Sequence, residues 1–200
     1  MTNVVFDVGN VLIHWDARLI VKDDLATDAD IDAFMTEIGF GPWNLEQDRG
    51  RTWDDAVVLK TAEFPQHAHL IQKFHTNWHD AVPGQIDESV RALRLLQGQG
   101  TPLYAITNFS AEKWAECQKR FSFLNDFIDV VVSAHERLVK PDPAIFQLFL
   151  SRNALVAEDC LFIDDSAANI ATAESLGFDT IHLTDPACII GQLRVRGVLK

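Results

Sequence analysis

Two short stretches decide the fold: Val4-Val5-Phe6-Asp7 near the start of the chain and Leu161-Phe162-Ile163-Asp164-Asp165 near its end. Each is an apolar run that ends in acidic residues, the pattern of a buried strand with carboxylates at its tip. Ionised carboxylates at the edge of an apolar interior are costly unless they are paired, hydrogen-bonded or bound to a metal. The three acids therefore predict a bound cation, and oxygen ligands favour a divalent ion.

From about residue 83 the sequence alternates between helical and strand-like segments. The predicted order is helix 87–97, strand 103–106, a helix opened by Ser110, strand 128–132, a helix opened by Asp142-Pro143, strand 160–163, a helix ending at Gly177, strand 180–183, and a last helix opened by Asp185-Pro186. Short β-rich runs separated by amphipathic helices are typical of an α/β fold with a doubly wound parallel sheet.

Residues 14–81 interrupt this alternation. Parallel strands need a crossover of a dozen or more residues, and helix 87–97 already supplies it, so the extra residues predict an insertion. Its helices are expected at 16–25, 30–38, 52–64 and 66–79, with breaks at 39–42 and 48–50. The predicted organisation is therefore a core of residues 1–13 and 82–200, with a helical cap, 14–81, lying as a lid over the carboxyl ends of the strands.

The composition narrows the classes of function. A chain of 200 residues with 48% hydrophobic residues can bury a sizeable core. Its 17 basic and 29 acidic residues leave a formal net charge of −12, which argues against nonspecific binding to nucleic acid or to an anionic membrane. Three widely spaced cysteines and the lack of a membrane-length apolar segment lead us to expect a soluble cytoplasmic protein. The oligomeric state is left open.

Four loops are expected at the carboxyl edge of the sheet. They are Asp7-Val8-Gly9-Asn10-Val11, Thr107-Asn108, Lys140-Pro141 and Asp164-Asp165. In this order and spacing they resemble the haloacid dehalogenase-like hydrolase superfamily, in particular its small phosphatase-like members with a helical cap after the first motif. The resemblance covers the whole chain and implies a Rossmann-like core with an inserted α-helical cap.

The resemblance also implies a chemistry that suits these residues. Asp7 is expected to be the nucleophile that forms an aspartyl phosphate. A Mg²⁺ ion would be held by Asp7, the backbone carbonyl of Gly9, and Asp165, with Asp164 ligating directly or through water. Lys140 is expected to neutralise the charge of the transferring phosphoryl group.

The remaining predicted contacts concern the substrate. Thr107 and the Asn108 amide are expected to hydrogen-bond its phosphoryl oxygens. Asp48 and Arg49, at a break in the cap, are the candidates for recognition of the rest of the molecule. Together these residues predict Mg²⁺-dependent hydrolysis of a small phosphate monoester, such as a sugar phosphate.

One position departs from the pattern of the superfamily. Many of its phosphatases carry a second aspartate two residues after the nucleophile, which protonates the leaving oxygen and then activates water. Here that position is Gly9, so general acid–base help worth roughly 100- to 10,000-fold has to come from elsewhere or be forgone.

Two other functions remain open. The first is metal-independent dehalogenation of a 2-haloacid, in which Asp7 attacks carbon; in that subfamily Ser and Asn typically stand where this chain has Asp164-Asp165. Asn169 would suit either kind of site. The second is a catalytically idle domain that binds a partner, although such a copy has no reason to keep all three acids.

Overall fold

The strands of the computed structural model, which describes residues 2–200, form one five-stranded sheet. All neighbouring strands are parallel and their order is β3-β2-β1-β4-β5. The strands are β1 (Asn3–Phe6), β2 (Leu103–Thr107), β3 (Asp129–Val132), β4 (Cys160–Asp164) and β5 (Asp179–His182). The predicted doubly wound α/β fold is confirmed.

The three central strands of the sheet are covered on both faces. Val4 and Phe6 of β1 pack into one core cluster, whereas Val5, which points the other way, packs into a second. Every residue of β1, β2 and β4 is buried. The central strand β1 pairs with β2 on one side and β4 on the other, so the loops that follow these three strands meet at one edge of the sheet.

Most helices of the second half of the chain begin and end where the sequence predicts. The helices are α5 (Asp87–Gly98), α6 (Ala111–Arg120), α7 (Ser133–Glu136), α8 (Pro143–Asn153), α9 (Ala167–Ser175) and α10 (Ile189–Val195), of which the single-turn α7 was not predicted. The Asp142 side chain accepts a hydrogen bond from the Ala144 N–H and caps α8, which begins at Pro143. The last helix starts later than predicted, because Pro186–Cys188 forms a separate 3-10 turn.

Four α-helices lie between β1 and β2, within residues 14–81. They are α1 (Asp28–Glu37), α2 (Phe40–Asp48), α3 (Trp53–Glu63) and α4 (Ala68–Thr76). Two of them are capped by threonine, because the Thr27 and Thr52 side chains accept hydrogen bonds from N–H groups in the first turns of α1 and α3. The division of the chain into a core and a cap stays a prediction.

The inserted segment differs from the prediction in three places. The helix expected at 16–25 is a single 3-10 turn, Ala17–Ile20, and the one expected at 66–79 is α4 flanked by the 3-10 turns Pro65–His67 and Trp78–Ala81. Helix α2 was missed altogether, because its Gly-Phe-Gly-Pro start was interpreted as a break. Gly39 adopts φ +60° between α1 and α2, and Pro42 lies in the first turn, where its missing N–H costs no helical hydrogen bond.

Within residues 2–200, no helix combines the length and the apolar composition that crossing a membrane requires.

Candidate active site

Three carboxylates meet at the edge formed by β1 and β4. Asp7 directly follows β1, Asp164 is the last residue of β4, and Asp165 follows it. Each offers one oxygen, and these oxygens lie within 4.8 Å of one another. The structure thus brings together the three acids that the two apolar runs predict at the strand ends.

Lys140 lies between two of these acids. Its ammonium donates to Asp7 Oδ1 at 2.8 Å and to Asp164 Oδ2 at 2.7 Å, and its side chain is only 1% exposed. A lysine this deeply buried is stable in the charged form only with partners of opposite charge. The two carboxylates accordingly raise the pKa of Lys140 against the effect of its burial, so the ammonium stays protonated.

Asp164 is fully hydrogen-bonded by the protein. Besides Lys140, the Ser166 N–H donates to Oδ1 at 2.8 Å, and the Asn169 amide donates to both oxygens at 3.0 Å. A carboxylate has about four acceptor positions, and Asp164 uses all of them. Asn169 therefore helps to fix Asp164, which in turn positions Lys140.

Asp7 and Asp165 keep free coordination capacity. Asp7 receives the Val8 N–H at 2.7 Å and Lys140, both on Oδ1, which leaves Oδ2 without a protein donor among residues 2–200. Asp165 is half-buried, and its backbone carbonyl accepts from His182 Nε2 at 3.0 Å. Of the two acids at the end of β4, Asp165 is thus the one with oxygens to spare.

The electrostatics of this edge favour an added cation. Burial raises the pKa of Asp7, the charge of Lys140 opposes the rise, and the charge of Asp164 adds to it. Burial and the nearby Asp164 likewise raise the pKa of Asp165. Oxygen-only ligands, close spacing and destabilised negative charge are the properties of a site for a hard divalent ion, so these residues fit Mg²⁺.

The side chains of Thr107 and Asn108, at the end of β2, differ in their hydrogen bonds. The Asn108 side chain accepts from the Lys140 N–H at 2.8 Å and donates to the Lys140 carbonyl at 2.9 Å, so it clamps the lysine's backbone. The amide nitrogen carries a second hydrogen, which the clamp does not use and which the expected contact with a phosphoryl oxygen would need. The Thr107 hydroxyl is buried and has no hydrogen-bond partner among the described residues. Such an orphaned group is costly, and a bound ligand would satisfy it.

The loop after β1 turns back on itself. The Val8 carbonyl accepts from the N–H groups of Leu12 and Ile13 at 2.8 and 3.0 Å. Asn10 adopts φ +53°, a conformation that asparagine tolerates better than most residues, and its side chain accepts from the Trp15 N–H at 2.9 Å. No atom lies within 4 Å of where a Gly9 Cβ would be, so Gly9 faces open space.

That space belongs to a small cavity between the sheet edge and the inserted helices. Its volume is about 70 Å³, and its wall combines four aromatic residues with four polar side chains. Residues from the inserted segment include Trp15, Asn44, Asp48, Trp53 and Trp78, and residues from the core include Gly9, Asn108, Phe109 and Ser110. Trp53 closes one side, with its indole N–H donating to the Ser110 hydroxyl at 3.0 Å.

Of the two residues predicted to recognise the substrate, one lines the cavity and the other does not. Asp48, the last residue of α2, lines the cavity. Arg49 does not: it is exposed and pairs with Glu46 at 2.8 Å on the same helix. The expectation that Arg49 contacts substrate is therefore not supported, because the side chain is directed along α2 by its i, i−3 partner.

Two cavity residues were missed from the sequence. Asn44 lies one helical turn before Asp48 and donates to it at 3.4 Å, but α2 itself was not predicted. Ser110 was interpreted only as the start of α6. A polar residue four positions before an acid would have signalled the first of these once the helix was known.

The fold and this edge define a class of hydrolase in which a carboxylate directly follows the central strand of a parallel sheet. The chain belongs to the haloacid dehalogenase-like hydrolase family, whose model matches residues 1–177. Among curated relatives, it is 32% identical over 195 residues to D-ribitol-5-phosphate phosphatase from Bacteroides thetaiotaomicron, covering 90% of each protein. It is also 26% identical over 209 residues to mouse Acyl-CoA dehydrogenase family member 10; the match covers 95% of this chain but only 18% of that relative.

Solved structures show the same fold. A HAD family enzyme from Bacteroides thetaiotaomicron, crystallised in complex with magnesium and inorganic phosphate, superposes with a TM-score of 0.68 at 20% sequence identity. The match covers 90% of this chain and 93% of that one.

Proposed function

We propose that the protein is a Mg²⁺-dependent phosphatase that hydrolyses a small phosphate monoester through an aspartyl phosphate on Asp7. The observation that carries the proposal is the different environment of the two carboxylate oxygens of Asp7. One of its oxygens is held by Lys140 and the Val8 N–H, whereas the other is without a protein donor among residues 2–200, and Gly9, two residues further on, lines the cavity. That is the arrangement of an oriented carboxylate nucleophile.

The relatives support phosphoryl chemistry. One of them is a phosphatase of a sugar-alcohol phosphate, and it matches this chain over nearly its whole length. A structurally similar enzyme binds magnesium and inorganic phosphate. The three acids and the orphaned Thr107 hydroxyl are consistent with such ligands in this chain.

The ligands of the metal would be Asp7, the Gly9 carbonyl and Asp165. When bound, the ion would neutralise charge on the phosphoryl oxygens and hold them in line for attack. Asp164, whose oxygens are saturated by protein donors, would act mainly by holding Lys140 in place.

The other residues would act on the phosphoryl group directly. Lys140 lies against Asp7, so its ammonium is positioned to stabilise negative charge that moves onto the transferring oxygens. The Thr107 hydroxyl would donate to one of them, and Asn108 would keep Lys140 in position through its backbone. Attack by Asp7 then displaces the alcohol, and water hydrolyses the aspartyl phosphate.

The size of the cavity bears on the substrate. About 70 Å³ is far smaller than the several hundred Å³ of a typical drug-sized site. Four aromatic residues of the wall offer flat apolar faces, and four side chains offer polar groups: Asn44, Asp48, Asn108 and Ser110. A compact substrate, such as the phosphate of a small sugar or sugar alcohol, fits these properties best.

The proposal is tested by assaying p-nitrophenyl phosphate and D-ribitol 5-phosphate with Mg²⁺, and again after complete removal of metal by a chelator. Turnover should require the metal and return when it is restored. Undiminished turnover without metal would contradict the proposal, and chloride release from 2-chloropropionate under those conditions would identify a dehalogenase instead.

Asp7→Asn provides the matched variant, because it keeps the size and shape of the side chain. It should reduce turnover by about 10,000-fold or more while the protein stays folded. Retention of substantial activity would exclude Asp7 as the nucleophile.

A further inference from the structure

Breaking the bond between phosphorus and an alcohol oxygen leaves that oxygen with a negative charge that a proton must neutralise. The loop after β1 offers no proton donor near Asp7, because the residue of this loop that lines the cavity is Gly9. The proton must come from another side chain of the cavity or from water. The cavity has one titratable side chain in its wall, and that is Asp48.

We propose that Asp48 of α2 is the general acid and base of the reaction; this inference rests on the proposed function. As Asp7 attacks phosphorus, the phosphorus–oxygen bond of the ester breaks and the leaving oxygen takes the proton of the Asp48 carboxyl group. The products of this step are the free alcohol, the aspartyl phosphate and the Asp48 carboxylate. That carboxylate then accepts a proton from the water that attacks phosphorus, which releases inorganic phosphate and restores both acids.

The position of Asp48 suits this role. It lines the cavity from the inserted segment, whereas Gly9, two residues after Asp7, lines it from the core. In an in-line displacement the leaving group points away from the nucleophile, toward the group that protonates it. Gly9 adds no side chain to the part of the cavity wall that the β1 loop forms.

The surroundings of Asp48 keep its proton bound. Burial raises the pKa of Asp48 to about 7, and the charge of Asp7 adds to the rise while Lys140 opposes it. Asp48 is also the last residue of α2, where the partial negative charge of the helix end disfavours a carboxylate. A pKa near the working pH lets one group both donate and accept a proton.

The contacts of Asp48 leave an oxygen for the substrate. Asn44 donates to Oδ2 at 3.4 Å, and no described residue forms an ion pair with Asp48. Its neighbour Arg49 is engaged by Glu46 instead. Oδ1 therefore has no competing partner.

The histidines of the inserted segment are less suited to the task. His75 lies behind Trp53, whose ring stacks on it, and its Nε2 faces Asp54 at 3.3 Å. His79 pairs with Glu116 at 2.8 Å. Neither lines the cavity.

The experiment compares two substrates of nearly the same shape, p-nitrophenyl phosphate and phenyl phosphate. The nitrophenolate is a stable leaving group, whereas phenolate is more basic and gains more from a proton donor. In Asp48→Asn, single-turnover formation of the phosphoenzyme from phenyl phosphate should fall about 100-fold or more, while the nitrophenyl ester loses less than about fivefold. Asp48→Glu, which keeps an acid, should restore part of the difference.

Asp54→Asn is the matched control. It removes a carboxylate of the same kind from an exposed position on α3, outside the cavity, and should leave both rates unchanged. Stabilisation of the folded Asp48→Asn variant by beryllium fluoride and Mg²⁺ should match that of the native protein, because binding of the mimic needs no proton transfer.

Equal losses on both substrates would overturn the inference and leave Asp48 as a residue that only shapes the cavity. Unchanged rates on both would overturn it as well. Failure of the proposed function gives a different result, since the native protein would then form no phosphoenzyme from either ester.

Discussion

Lys140 is the residue on which the charge balance of the site depends. It is a buried cation between two buried acids, and the Asn108 side chain holds its backbone from both sides. Removal of one member of such a group is costly because it leaves the other charges buried without compensation.

Lys140→Met should therefore destabilise the protein by about 3–5 kcal/mol at pH 7. The methionine keeps the length of the side chain and removes only the charge and the donors. Lys140 opposes the rise that burial causes in the pKa of Asp7, so without the ammonium Asp7 takes up a proton still more readily in the folded state than in the unfolded state. The loss of stability should hence shrink as the pH is lowered from 7 toward 5, as urea unfolding would show.

Lys113→Met is the control. Lys113 is also buried, but its acidic partner Glu116 is partly exposed and can be solvated by water. We expect a clearly smaller loss for this variant. Equal losses of stability in the two variants would contradict the prediction that the buried acids beside Lys140 make its charge more important than that of Lys113.

For single residues, the sequence best predicted the position of acids and lysines that follow a strand or a turn within a family motif. The close approach of Asp7, Lys140 and Asp164 agrees with those motifs. The clamp formed by Asn108 and the saturation of Asp164 by Asn169 depend on how separate loops pack, which spacing along the chain does not encode. Arg49 shows the reverse case, in which a residue next to a cavity residue is directed away by a local ion pair.

Among the elements, α2 and the turn that follows it join the inserted helices to the core. Gly50 adopts φ +99°, and a Cβ at this position would lie 2.9 Å from the backbone oxygen of Ala134 in α7. Both the conformation and the close approach require glycine. The turn that follows Asp48 thus packs directly against α7 of the core.

Gly50→Ala should cost about 2–4 kcal/mol, because backbone strain and a clash with a backbone oxygen add together. Gly39→Ala provides the matched comparison, since Gly39 has φ +60° but nothing within 4 Å of the added carbon. That variant should lose only about 1 kcal/mol. Thermal or urea unfolding would measure both, and a Gly50 variant no less stable than the Gly39 variant would contradict the close approach.

A second connection between elements ties α8 to β3. Arg152 donates to both oxygens of Asp129 at 2.8 Å, and Asn153 donates to one at 2.9 Å. Burial alone would raise the pKa of Asp129, but these hydrogen bonds outweigh it and lower the pKa below the usual 3.8. A lowered pKa in the folded state stabilises the protein above the unfolded value and loses that contribution as the pH falls.

Asp129→Asn should accordingly destabilise the protein by about 1 kcal/mol at pH 7, since the pair is partly solvated. The difference from the native protein should decrease below about pH 4, as Asp129 takes up its proton. Urea unfolding at several pH values would follow it. A difference that stays constant down to pH 2 would contradict the shift.

The elements also show where prediction from sequence succeeds and fails. The strands were predicted correctly because short apolar runs such as Leu161–Ile163 are typical of strands that are buried on both faces of a parallel sheet. Helix α2 was missed because glycine and proline ordinarily break helices, and only the left-handed Gly39 and the first-turn position of Pro42 make that start possible. Conformations of this kind are selected by packing in three dimensions.

For the whole molecule, a ligand that binds only the folded state must stabilise it. Beryllium fluoride with Mg²⁺ mimics a phosphorylated carboxylate. At about 100 times its dissociation constant it should add about 2.7 kcal/mol. For a chain of 200 residues this corresponds to a rise of roughly 5–10 °C in the melting temperature.

Asp7→Ala should abolish this rise, because the mimic would have no carboxylate to attach to. Differential scanning fluorimetry of both proteins, with and without Mg²⁺, would make the measurement. An equal rise in the variant would show that the mimic binds elsewhere in the molecule.

The order of the strands has a consequence for how the protein is made. β1 is the central strand, yet its partner β4 lies near the other end of the sequence. While the chain emerges from the ribosome, β1 can pair with β2 on one side, but its other edge stays open until β4 has been synthesised. A nascent chain that stalls earlier therefore presents the apolar edge of Val4, Val5 and Phe6, the kind of surface that chaperones bind and that aggregates when left uncovered.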